Sequence, residues 1–100
     1  MKYVWYKLES HFGPGHQSTE IRYFYSPGVL DRASRKDIEI EECHEIASRY
    51  DTQCVTRLRI VKKVPPEEIA RLRSNAERKI RNAEGMIEAL KQLDKSGNVG

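Results

Sequence analysis

Hydrophobic and polar residues alternate at the start of the chain. In "KYVWYKLE" Tyr3, Trp5 and Lys7 share one face, and Val4, Tyr6 and Leu8 share the other. Aromatic and β-branched residues dominate, so the stretch predicts a strand. "TEIRYFYS" repeats the pattern, with Ile21, Tyr23 and Tyr25 opposite Arg22 and Phe24. The Gly/Pro loop in "ESHFGPGHQSTE" joins the two runs into an antiparallel hairpin and is longer than a tight turn requires. Pro27-Gly28 breaks the alternation. Ser34, three residues before Asp37, then resembles a capping-box start. Cys43, Ile46, Ala47 and Tyr50 recur at helical spacing, with Glu39, Glu41, Glu42 and Glu45 on the other face, so a helix is expected at about 35–50. "TQCVTRLRIVKKV" returns to alternation. Leu58 and Ile60 mark its core side, and Arg57 and Arg59 project together from the opposite face.

"VPPEEIARLRSNAERKIRNAEGMIEALKQL" opens with a proline suited to the first helical position and two glutamates that complement the helix dipole. Its apolar residues follow 3–4 spacing. "SNAE" and "RNAE" recur seven residues apart, which predicts one helix over about 66–94, on the order of 40 Å long. Gly85 weakens it. The fold class expected is α+β, in the order ββαβα: a small antiparallel sheet with one short helix and one long C-terminal helix. Residues 1–95 form a single domain in this reading, and 96–100 a flexible tail.

Composition narrows the setting. The chain has 100 residues, 38% hydrophobic and 33% charged, which suits a folded domain with a thin core. No apolar run approaches the roughly 20 residues of a membrane span, and the N-terminus lacks a signal-peptide apolar block. A cytoplasmic location is expected. Cys43 and Cys54 form no CxxC pair and read as small buried hydrophobes. The net charge of +3 is uneven: residues 1–50 carry seven Lys/Arg against eight Asp/Glu, and 51–100 carry eleven against seven. The excess gathers in "TRLRIVKK", a basic strand rather than a wholly basic nucleic-acid binder.

Candidate chemistry lies in two places. In the loop, Gly13 and Gly15 can adopt positive φ and turn backbone N–H groups into a concavity, and His16, Gln17 and Ser18 add side-chain donors. Such a nest suits phosphate, although no Lys-Ser/Thr ending or helix follows as in a P-loop. The same residues also make an elaborate turn. On the basic strand, Arg57 and Arg59 either grip phosphate or guard an edge strand against aggregation. His11, His16, Cys43, His44 and Cys54 match no zinc spacing, so no metal and no cofactor is expected. Cys43 lies on an apolar helix face and the paired carboxylates read as solvated, so no catalytic residue is assigned. The stripe of Ala76, Ile80, Ala83, Ile87 and Leu90 predicts a homo-oligomer interface.

"YKLESHFGPGHQS", then an acidic helix, then a strand entering "KVPPEEIARL" and a terminal helix, resembles small accessory proteins of tailed phages and prophages. The resemblance implies a non-enzymatic protein that counters host immunity by binding. Two modes follow from it: sequestration of an anionic nucleotide signal, slightly favoured by the loop and basic strand, or direct docking on a host defence effector such as a CRISPR nuclease. A nucleic-acid-binding regulator is the third reading, and the acidic helix argues against it.

Overall fold

A computed structural model describes residues 3–78 and 83–100, with side chains described outside 76–84. Strand β1 (Val4–Phe12), a single 3-10 turn (Pro14–His16) and β2 (Ser18–Ser26) form the expected hairpin. Helix α1 (Arg32–Tyr50) and strand β3 (Cys54–Ile60) follow, then helices α2 (Pro66–Arg78) and α3 (Ala83–Lys91). The strands order as β2-β1-β3. The N–H of Val61 donates to the carbonyl of Trp5, and the hydroxyls of Ser10 and Thr56 meet at 2.9 Å. These two contacts fix β3 antiparallel to β1, with Arg57 opposite Glu9 and Arg59 opposite Lys7. The Tyr6–Phe24 stack and the Thr19–His11 contact fix the hairpin register, with Glu9 opposite Ile21.

The single long C-terminal helix is corrected to two shorter ones, so the order is ββαβαα. Helices α2 and α3 pack on each other. One cleft is lined by Ile69 and Arg73 of α2 together with Leu93 and Asp94 beyond α3, so the start of α2 lies by the end of α3. The physical reason is coverage. A helix near 40 Å would leave much of its apolar stripe in water, whereas two antiparallel helices bury Ile69, Leu72, Ala89 and Leu90. Helix α1 also begins three residues earlier than expected. Asp31, not Ser34, is the N-cap: its carboxylate accepts the Ser34 N–H at 2.7 Å, which holds the Asp31 carboxyl below its ordinary pKa.

Contacts divide the chain into two compact units. One comprises residues 6–24 and 29–59. Its core is Tyr6, Leu8, Phe12, Ile46 and Leu58, with Ser10 and Glu42 buried among them. The other comprises the first residues up to Trp5, residues 25–28 and residues 60–100. There Trp5 and Tyr3 are buried, the Trp5 indole donates to the Ala89 carbonyl (3.4 Å), and the Tyr3 hydroxyl donates to Glu88 (2.8 Å). That bond to a carboxylate raises the Tyr3 pKa above its usual value. Residues 96–100, expected as a free tail, run back along 62–64. Val64 donates to Gly97 and Val99 donates to Lys62, both at 2.7 Å.

The acidic face predicted for α1 also needs correction. Glu42 is 6% exposed and pairs with Arg22 at 3.0 Å, and Glu39 accepts the Leu58 N–H at 2.8 Å. Strand β2 presents Glu20 and Arg22 to the helix, so the helix meets it with Arg49 and Glu42. A half-polar strand face selects a half-polar helix face. Among the described residues no helix is long and apolar enough to cross a membrane.

Candidate functional site

The "GPGHQS" loop is tied to its own backbone. Gly13 (φ 85) and Gly15 (φ 67) adopt the positive φ expected of them, and so does His16 (φ 54). The His16 N–H bonds the Gly13 carbonyl at 2.9 Å, and its ring Nδ1 donates to the His11 carbonyl at 3.3 Å. On β1, His11 Nδ1 meets the Thr19 hydroxyl at 3.2 Å while its Nε2 faces Glu9. Both histidines are therefore engaged in turning the chain. Gln17 and Ser18 are exposed at the tip.

Arg57 and Arg59 project from one side of β3, as the alternation predicts, and both are exposed. Arg59 reaches Glu9 at 3.5 Å. Glu9 also faces His11 (3.3 Å) and Lys7 (3.4 Å), and these contacts, His11 foremost, lower its pKa. Arg57 makes no ion pair among the described residues. Its register, opposite Glu9, sets it three residues back from Phe12, roughly 10 Å along the strand from the start of the loop. The loop supplies neutral donors at the strand end and the arginines supply charge along the strand.

A third group of cations was missed by the sequence reading. Arg32, Arg35 and Lys36, in the first turns of α1, line a cleft of about 460 Å³ with Glu39 and Leu58. Arg35 donates to the Leu58 carbonyl at 3.4 Å, and Glu39 takes up the Leu58 N–H. Glu39 is thus occupied, and Arg32 and Lys36 are exposed. The signal was present in "DRASRKD". A helix start ordinarily favours acidic residues, and three cations there oppose the dipole.

The predicted oligomer stripe divides. Leu90 is buried within its own chain and Ile87 is 41% exposed. Ile80 lies outside the described residues, and so do the side chains of Ala76 and Ala83. Cys43 donates its thiol proton to the Cys54 carbonyl at 2.7 Å, and burial raises the Cys43 pKa, which disfavours the thiolate a nucleophile requires. No group of three or more His, Cys, Asp or Glu suited to a metal occurs among the described residues. No protein-family model, no characterised protein and no solved structure matches the chain.

Proposed function

We propose that this chain is a non-enzymatic binding protein that captures an anionic, phosphate-bearing ligand of nucleotide class, in the role of a phage-type accessory protein that blunts host immunity. One observation carries the ligand class: three cations on the first turns of α1 line a cleft of nucleotide size whose lone carboxylate is occupied by a backbone N–H. Arginine supplies bidentate contacts to phosphate, and Lys36 adds a point charge. This moves the favoured site from the loop to the start of α1, and Arg57 and Arg59 contribute long-range attraction. The phage setting rests on the resemblance in the order of motifs.

The test is calorimetric titration with inorganic phosphate and a panel of linear and cyclic nucleotides. Binding should weaken about tenfold or more in Arg32→Ala and Lys36→Ala, and the loss should shrink at high salt because screening already reduces it. His16→Ala should leave affinity unchanged. Absence of heat with every nucleotide would sink the reading.

A second reading is favoured by a different observation. Ile21 (44% exposed) and Val55 (54%) accompany Arg57 and Arg59 on the open sheet face, a mixture that suits a protein surface. In that reading the chain docks directly on a host defence effector. Co-purification of one host protein, lost in Arg57→Glu, would support it over nucleotide capture.

A further inference from the structure

The two edges of the sheet are treated differently. Because Val61 donates to Trp5, the odd-numbered residues of β1 turn their peptide groups toward β3, and the even-numbered ones toward β2. The same register turns the peptide groups of Leu58 outward on the β3 edge, and these are the groups taken up by Arg35 and Glu39. On the β2 edge the outward peptide groups are those of Thr19, Ile21 and Tyr23. Among the described residues no hydrogen bond meets them. The strand contains no lysine or proline, its two charges sit on the face toward α1, and Ile21 is 44% exposed. A nine-residue strand with these properties has neither lysine nor proline to guard it, and its one guard against pairing is the pair of inward-pointing charges, Glu20 and Arg22, which a complementary copy can satisfy.

We propose that the free edge of β2 is a self-association surface, at which two copies pair antiparallel about a two-fold axis centred on Ile21. The charge pattern selects both occupant and register. Centring on Ile21 sets Glu20 opposite the partner's Arg22, and Arg22 opposite the partner's Glu20. Centring on Glu20 opposes two carboxylates, and centring on Arg22 opposes two guanidiniums, which is unfavourable. The Ile21 register also uses the outward peptide groups of residues 19, 21 and 23 in reciprocal bonds, and packs Ile21 on its own copy. Arg22 is 56% exposed while paired with Glu42, so it can receive a second carboxylate. This interface owes nothing to the stripe on the C-terminal helices.

Sedimentation velocity over a range from low to high micromolar protein tests the proposal. The wild type should move from monomer to dimer. Ile21→Lys, which opposes two like charges at the axis on an already exposed position, should raise the dissociation constant about tenfold or more with an unchanged circular dichroism spectrum. Ile87→Asp should leave the dimer intact. Ile21→Cys should cross-link under mild oxidation, giving a peptide that joins the substituted position to itself by mass spectrometry; Val29→Cys, 71% exposed but off the strand, should not. A wild type that remains monomeric throughout, a dimer indifferent to Ile21→Lys, or a dimer abolished by Ile87→Asp alone would overturn it.

Discussion

At Gly97 a single methyl group would decide whether the last residues of the chain can seat. Its φ is 87, and a Cβ there would fall on the Val64 carbonyl oxygen, a backbone atom that cannot step aside. Gly97→Ala should therefore cost at least about 1–2 kcal/mol from the left-handed backbone alone, read as a lower urea midpoint with an unchanged slope. Gly85 gives the contrast. A Cβ there would stand 2.6 Å from the Tyr25 hydroxyl, the far end of a side chain that can shift, and alanine returns up to about 1 kcal/mol of helix propensity. Gly85→Ala should change the midpoint far less. In the sequence, Gly97 falls within the expected flexible tail at 96–100 and Gly85 is a weak spot in the expected helix. A glycine letter does not say whether open water or a carbonyl oxygen lies where its side chain would be, because the neighbour that decides it is more than thirty residues away.

Among elements, the strands were legible and the helices only partly so. Alternation is a local signal, and β1, β2 and β3 appear where it places them, with Arg57 and Arg59 on the expected side. The face of α1 was misread because Glu39 and Glu42 look solvated until β2 and β3 supply an arginine and an unpaired peptide N–H. The cleft at the start of α1 was missed for a related reason: the helix was begun at residue 35, past the first of its three cations. The pair of Arg22 and Glu42 is asymmetric, and that asymmetry is testable. Arg22 can reach water alone, whereas Glu42 cannot. Arg22→Ala should destabilise by roughly 1–3 kcal/mol, the cost of an unsatisfied buried polar group; Glu42→Gln should cost less. Both are read by chemical denaturation at neutral pH. Glu39→Ala should uncover the Leu58 N–H, costing on the order of 1 kcal/mol, and should raise the rate of aggregation by light scattering as the β3 edge opens.

Over the molecule as a whole, acid is the expected weak point. Asp31 is bonded to Ser34, Asp94 accepts the Asn98 and Ser96 N–H groups, and Glu9 faces His11 and Lys7; each carboxyl titrates below its ordinary value. A lowered folded value means that the stabilisation is complete above the unfolded range, near pH 4, and disappears as pH falls through the folded values. Stability should thus be level from neutrality to about pH 5 and drop below about pH 4, with a shallower drop in Asp94→Asn. The division into two units has a further consequence, for birth rather than equilibrium. Residues 6–24 and 29–59 form one unit entirely from the first three-fifths of the chain. The other joins the beginning to the end, as in the bond from Tyr3 to Gln92 across 89 positions. During synthesis, at about 5–20 residues per second, the first unit can close while the ribosome is still at work. The second must hold Tyr3 and Trp5 uncovered until residues 88–92 have been added, which gives chaperones, proteases and neighbouring nascent chains a brief interval in which to find them.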